Sequence, residues 1–169
     1  NKTGQGQWVD MGMYQSGVLF TSEYIMDAIA NGREGGRIGN RHPTRAPQGC
    51  YRALGEDQWI TLSVGDDQQW HALCGLMDRQ DLEQDQRFAD ILARQRHHDD
   101  LDEIITVWTS GVDKYELMHL MQRQGIPSGP VLTGKDIHFD PQYQNRGFLE
   151  RVTYPADRDI GTRPFIGRP

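Results

Sequence analysis

The sequence is organised around a polar central loop, Gly39-Asn40-Arg41-His42-Pro43-Thr44-Arg45-Ala46-Pro47-Gln48-Gly49. This loop has no helical or strand periodicity, but it contains prolines, glycines and several side chains able to bind anions. Rigid polar loops between ordered elements are frequent positions for binding residues. Composition alone favours a packed crossover between two substructures, and a binding site is the alternative interpretation.

The composition predicts one folded domain, with or without an appendage. The chain has 169 residues, of which 36% are hydrophobic and 25% are charged, so it can build a core. Its formal net charge of -6 argues against a nucleic acid partner. We find no apolar run long enough to span a membrane and no signal peptide, and Cys50 and Cys74 form no disulfide framework. We therefore expect a cytoplasmic protein without a membrane partner.

The sequence before the loop has the pattern of a strand followed by a long helix. Gln7–Met13 is rich in apolar residues and is predicted to be a strand. Apolar residues then recur at helical spacing over Tyr14–Ala30, and Asn31-Gly32 supplies a stop signal. The length and low charge of this helix predict that it is buried against other structure.

The sequence after the loop predicts a small antiparallel sheet with several helices. Tyr51–Leu54 and Trp59–Val64 are predicted to form a hairpin, whose second strand alternates apolar and polar residues. Asp66 and Asp113 occupy the N-cap positions of two predicted helices. Phe148–Tyr154 is predicted to be a last, trailing strand. The fold class is therefore mixed, with both α and β elements.

The spacing of reactive side chains does not by itself identify a reaction. His97-His98-Asp99-Asp100 resembles a metal-binding tract, but adjacent residues on a helix do not converge on one ion, so a solvated helix start is favoured. His71 and Cys74 supply only two ligands on an apolar face, which favours a core cysteine. Ser128 lacks the sequence pattern of a nucleophile elbow. We therefore assign neither a metal site nor a catalytic residue.

Three segments match one protein family in their order and spacing. They are Thr3-Gly4-Gln5-Gly6-Gln7-Trp8-Val9-Asp10, then Gly39-Asn40-Arg41-His42-Pro43 with Ala46-Pro47 and the hairpin, and finally Gly125-Ile126-Pro127-Ser128-Gly129-Pro130-Val131 followed by Asp140-Pro141-Gln142. The intervening Phe88-Ala89, Arg94 and Leu101-Asp102 agree with the same pattern. Together these segments resemble the family III CoA-transferases, which include formyl-CoA transferase, carnitine CoA-transferase and the related α-methylacyl-CoA racemases. The resemblance covers nearly the whole chain.

The resemblance implies an α/β enzyme with a large Rossmann-like domain and a smaller domain, interlocked as a ring-like dimer. Residues 1–38, with the leading strand and long helix, then end a segment of the large domain. Residues 39–132 form the small domain, and residues 133–169, with the trailing strand, begin the return to the large domain. The family's nucleophile is an aspartate that lies before the position of Asn1. The resemblance therefore gives no catalytic residue here, and we expect this chain to be inactive alone.

The resemblance also implies a role for the central loop. The corresponding region of formyl-CoA transferase includes a glycine-rich loop that closes over the active site. We therefore expect Gly39, Asn40, Arg41 and His42 to face the acyl-CoA site of a complete enzyme, where the last three could contact thioester, phosphate or carboxylate groups. The CoA thioester is then the substrate, and no tightly bound cofactor is implied. A purely structural role, in which the loop fixes the crossover between domains, is the alternative.

Two classes of function follow. The first is part of an acyl-CoA transferase that moves CoA between carboxylic acids, or part of a related racemase. The second is a stand-alone, non-catalytic module for binding or self-association. The long helix bears on both, because it exposes Val18, Ile25 and Ile29 unless another surface covers them. We expect a homodimer or a swapped oligomer.

Overall fold

The computed structural model describes residues 3–167, which belong to two compact units, Asn1–Gly39 and Asn40–Pro169. The first unit contains α1 (Met13–Phe20) and α2 (Ser22–Asn31). The second contains β1 (Gln48–Arg52), β2 (Trp59–Ser63), α3 (Asp67–Leu76), α4 (Ile91–Arg96), α5 (His98–Thr109), α6 (Lys114–Arg123), β3 (Ser128–Pro130), α7 (Gly134–Phe139), α8 (Pro141–Asn145), β4 (Leu149–Thr153) and β5 (Thr162–Ile166). Within residues 3–167, no helix has the length and apolar character needed to cross a membrane.

The first unit confirms the predicted helix but not the predicted strand. The helical segment is interrupted at Thr21, and α2 ends at Gly32, whose φ of 64° is left-handed. Residues 7–12 form no strand, and Met13 already begins α1, so the strand predicted over Gln7–Met13 is wrong. A strand requires a neighbour for its backbone N–H and C=O groups, and apolar composition cannot supply one.

The sheet of the second unit confirms the predicted hairpin. The strands lie in the order β1-β2-β3 and are antiparallel, with Tyr51 opposite Ile60 and Leu62 opposite Ser128. Ile60 and Leu62 are buried, whereas Thr61 between them is exposed. The buried side of the sheet packs on the apolar sides of α3, α5 and α6, and this cluster is the core of the unit.

Local signals in the sequence place the starts of α3 and α6 correctly. Asp66 accepts a hydrogen bond from the backbone N–H of Gln69 at 2.8 Å, and Asp113 accepts one from that of Tyr115 at 2.9 Å. Both predicted N-caps are therefore confirmed. Cys74 is fully buried in α3, as expected for a core cysteine.

The end of the second unit contains a second, two-stranded antiparallel sheet. The predicted trailing strand is confirmed as β4, and its partner is β5, which the sequence did not predict. Pro164 lies within β5, and proline there is compatible only with an edge strand. The buried Lys114, at the start of α6, donates to Asp136 of α7 at 2.7 Å and lowers the pKa of that carboxyl to about 2.

The guanidinium of Arg94, on α4 in the second unit, is fully buried. It donates to the carbonyl of Ala46 at 3.0 Å, to the carbonyl of Phe88 at 3.1 Å and to Asp67 at 2.7 Å. It also lies 5.3 Å from the ring centroid of Trp70. Arg94 therefore connects the central loop to α3 and α4.

We predict that Arg94→Ala lowers the free energy of unfolding by about 3 kcal/mol, because it leaves two buried carbonyl groups without a donor and opens a cavity. Urea titration followed by tryptophan fluorescence measures this loss. The matched control is Arg96→Ala on the same helix. Because the side chain of Arg96 is exposed, the urea concentration at the midpoint of unfolding should hardly change. Equal stability of the two variants would contradict the prediction.

Candidate functional site

The central loop and the three-stranded sheet enclose a groove of about 530 Å³. Asn40 of the loop lines it together with side chains of β1 and β2 that point away from the core: Gln48, Cys50, Thr61 and Ser63. These residues are polar or weakly polar because alternate positions of β1 and β2 face away from the apolar cluster. The groove therefore offers hydroxyl, amide and thiol groups to a ligand on a rigid floor.

Hydrogen bonds fix the polar side chains of this floor. The hydroxyl of Ser63 donates to the side-chain oxygen of Gln48 at 2.7 Å. The amide nitrogen of Gln48 in turn donates to the backbone carbonyl of Asn40 at 3.2 Å. Gln48 is thereby held in one orientation, with both its oxygen and its nitrogen used, and it ties the start of the loop to the sheet.

The four residues predicted to face an acyl-CoA site have different positions. Gly39 ends the first unit with a φ of 61°, a left-handed conformation that glycine adopts at low cost. Asn40 lines the groove. His42 is exposed, and its Nδ1 accepts from the backbone N–H of Thr44 at 3.2 Å. In neutral His42 the proton is therefore on Nε2.

Arg41 does not project freely into solvent but pairs with two carboxylates of α5. One of its terminal nitrogens, Nη2, donates to Asp99 and also to Asp102, the latter at 3.1 Å. The hydrogen bond to Asp99 and that to Asp102 raise the pKa of the guanidinium. The two carboxylates of α5 therefore hold the side chain of Arg41 in place.

Asp102 is the centre of a small polar network beneath the loop. Its Oδ1 accepts from the hydroxyl of Tyr51 at 2.9 Å, and its Oδ2 accepts from Arg41. Burial acts to raise the pKa of Asp102, but contacts with His98, Tyr51 and Arg41 outweigh it, and the pKa lies below its ordinary value. Burial, with the adjacent charge of Asp102, raises the pKa of the Tyr51 hydroxyl. Asp102 is thus a carboxylate at neutral pH and Tyr51 a donor.

His98 completes the network from the buried side. Only 2% of its surface is exposed, and its Nε2 accepts from the backbone N–H of Gln48 at 3.1 Å. This nitrogen is therefore unprotonated, and the proton of the neutral ring lies on Nδ1. Nδ1 is 3.1 Å from Oδ1 of Asp102, but the pair lacks hydrogen-bond geometry.

The predicted solvated start of α5 is thus right for Asp99, whose side chain is 89% exposed, and wrong for His98. The signal that could have found this burial is periodicity, because His98 precedes Leu101 by three residues and Ile105 by seven. The polarity of histidine masked the pattern. Among residues 3–167, no group of three or more His, Cys, Asp or Glu side chains has the arrangement of a metal site.

The sequence matches one known protein family over most of its length. Residues 1–166 match the model of the family described as CoA-transferase family III. The chain belongs to this family. The resemblance inferred from three segments of sequence is therefore confirmed.

Curated proteins and a solved structure match nearly all of the chain. It is 32% identical over 158 residues to the "Succinyl-CoA:mesaconate CoA-transferase" of Haloarcula marismortui, covering 94% of this chain and 39% of that protein. It is 30% identical over 167 residues to the "Succinyl-CoA--D-citramalate CoA-transferase" of Chloroflexus aurantiacus, covering 99% and 41%. The crystal structure of a CAIB/BAIF family protein from Brucella suis matches with a TM-score of 0.72 and 26% identity, over 99% of this chain and 46% of that one.

These matches confirm the mixed α/β fold class. They also show that the chain spans about two fifths of the length of the curated relatives, 39% and 41% of the two named above.

The two thiols give a test of the site geometry. Cys50 lines the groove and Cys74 lies in the core, and burial raises the pKa of both, to about 12 for Cys74. Because only the thiolate attacks a disulfide reagent, we expect Cys50 to react slowly at neutral pH and faster as the pH rises. Cys74 should react only after unfolding. Ellman's reagent, with and without urea, measures both rates.

The control for this test is Cys50→Ser, which should abolish the reaction of the folded protein and leave one reactive thiol in urea. Rapid reaction of both thiols in the absence of urea would contradict the geometry.

Proposed function

We propose that this chain forms part of an acyl-CoA transferase that moves CoA between two carboxylic acids. The observation that carries the proposal is the family match over residues 1–166, together with relatives that are named as CoA-transferases. Those names favour transfer over racemisation. In this proposal residues 39–132 form the small domain of the enzyme, and residues 1–38 and 133–169 are its connections to a larger Rossmann-like domain.

We further propose that Gly39, Asn40, Arg41 and His42 form one side of the acyl-CoA site. The position of Asn40 on the groove supports this, since an amide there supplies neutral donors and acceptors for a thioester carbonyl or a carboxylate. The exposed Nε2–H of His42 supplies a further donor. Gly39 has no side chain to limit the approach of a ligand.

The proposal gives the CoA thioester the role of substrate and includes no tightly bound cofactor. It assigns the nucleophile to none of the residues in this chain. Turnover then requires the part of a family member that this chain does not match. The partners are accordingly an acyl-CoA and a carboxylic acid, with no nucleic acid and no membrane, and the proposed location is the cytoplasm. The assay described below identifies the acyl donor and the acceptor.

Self-association is the second role that we propose, and a specific observation favours it. α1 and α2 expose large apolar side chains, among them Met13, Phe20 and Ile29, the last with 78% of its surface accessible. Apolar surface of this extent on a soluble chain is usually covered by another polypeptide. A homodimer or a swapped oligomer would cover it, either within the transferase or in a non-catalytic module.

The enzyme assay uses the complete gene product that carries this sequence, with acyl-CoA donors and a panel of carboxylic acids. We expect exchange of CoA, and we expect Asn40→Ala and His42→Ala each to lower kcat/KM about tenfold or more, because each removes a donor from the site. Arg96→Ala, on the exposed side of α4, is the control and should retain activity. Full kcat/KM in both site variants would disprove the site, and no exchange with any pair would disprove the transferase.

The oligomer is tested by gel filtration of the 169-residue chain with light scattering. We expect a dimer or a larger assembly, because burial of α1 and α2 side chains removes apolar area from water. Phe20→Gln should shift the population towards the monomer, and Lys135→Gln, at an exposed position of α7, serves as the control. A strictly monomeric, non-aggregating wild-type chain would exclude this second role.

A further inference from the structure

We infer that Asp102 is a positioning residue that fixes the central loop, and that Arg41 serves the site by holding this loop and not by contacting substrate. The inference rests on the proposed function for its catalytic meaning. Its structural content, the anchoring of residues 40–48 by α5, can be tested without any activity.

One carboxylate connects three elements of the second unit. Asp102 lies on α5, its Oδ2 accepts from Arg41 of the loop at 3.1 Å, and its Oδ1 accepts from Tyr51 of β1 at 2.9 Å. Asp99, one turn earlier on α5, pairs with the same Nη2 of Arg41. Charge-assisted bonds of this kind are stronger than neutral ones, and two acceptors restrict the guanidinium more than one does. The start of the loop is therefore fastened to α5.

The other end of the loop is fastened to the same helix face. His98 precedes Asp102 by four residues, which places the two side chains next to each other on α5. The ring of His98 accepts from the backbone N–H of Gln48, where the loop enters β1, at 3.1 Å. The side chain of Gln48 then donates to the carbonyl of Asn40. Both ends of residues 40–48 are thus held by adjacent residues of one helix.

The charges around Arg41 decide which role this arginine has. Its single positive charge faces the negative charges of Asp99 and Asp102, and His98 behind them is neutral. The three charged side chains sum to a net negative charge, so an incoming carboxylate or phosphate would meet repulsion rather than a free cation. Arg41 is therefore suited to fix the loop, whereas the neutral Asn40 on the groove is suited to contact the ligand.

The first measurement is hydrogen exchange with mass spectrometry on the complete gene product, comparing wild type, Asp102→Asn and Asp100→Asn. Asp102→Asn places an amide donor beside the guanidinium of Arg41, so we expect backbone exchange over residues 40–48 to become about tenfold faster. Asp100→Asn is the matched control, since Asp100 lies on the same helix but pairs with the exposed Arg87. It should leave exchange in the loop unchanged. Unchanged exchange in Asp102→Asn would overturn the inference.

If Asp102→Asn fails to fold, Tyr51→Phe replaces it, because this variant removes only the hydroxyl that donates to Asp102. The expected result is again faster exchange over residues 40–48, by a smaller factor, with no change in the control. Wild-type exchange in a folded Tyr51→Phe protein would overturn the role of Asp102 as the centre of the anchor.

The second measurement separates positioning from binding by Arg41. If Arg41 acts only through its anchor, Arg41→Gln and Asp102→Asn lower kcat/KM by a similar factor, and the double variant is no worse than either. If Arg41 contacts substrate, Arg41→Gln raises KM for the acid far more than Asp102→Asn does, and the inference is overturned. If the wild-type protein transfers no CoA, only the proposed function is refuted. The hydrogen-exchange measurement on residues 40–48 still tests whether α5 anchors the loop.

Discussion

The guanidinium of Arg94 lies fully buried and donates to two backbone carbonyls and to Asp67. Moving such a charge out of water costs several kcal/mol, and the cost is offset only when its donors find acceptors of good geometry. The largely exposed Asp67 supplies the opposite charge, while the carbonyls of Ala46 and Phe88 supply fixed dipoles. Because Ala46 belongs to the central loop, this pairing sets the position of the loop relative to α3 and α4.

A second set of contacts fixes the loop from α5. Arg94 holds its later part at Ala46, whereas Asp102 holds Arg41 and His98 holds Gln48. A loop restrained at several points presents its remaining groups in a narrow range of positions, which is what a binding site on irregular backbone requires. The groove beside Asn40 therefore combines loop chemistry with a rigidity that isolated loops lack.

The structure shows which features depend on local sequence and which on distant contacts. The N-caps Asp66 and Asp113 were predictable, because a cap involves residues only two or three positions away. The hydrogen bond that His98 accepts was not, since its donor is the backbone N–H of Gln48 in β1. The predicted strand Gln7–Met13 failed for the same reason, as strands depend on partners that composition does not reveal. The groove could not be predicted from the sequence either, because it forms only where the loop meets the sheet. The loop itself was evident from the sequence.

The restraints on the loop act mostly on its main chain. The carbonyls of Asn40, Pro43 and Ala46 accept hydrogen bonds from side chains outside the loop segment 40–46. Arg41 and His42 use their own side chains, Arg41 towards α5 and His42 towards the N–H of Thr44. Substitutions of the side chains at positions 40 and 44 therefore leave the hydrogen bonds to the main-chain carbonyls of the loop in place. Under the proposed function, a change of the accepted acid through substitutions at these positions would not be opposed by selection for stability.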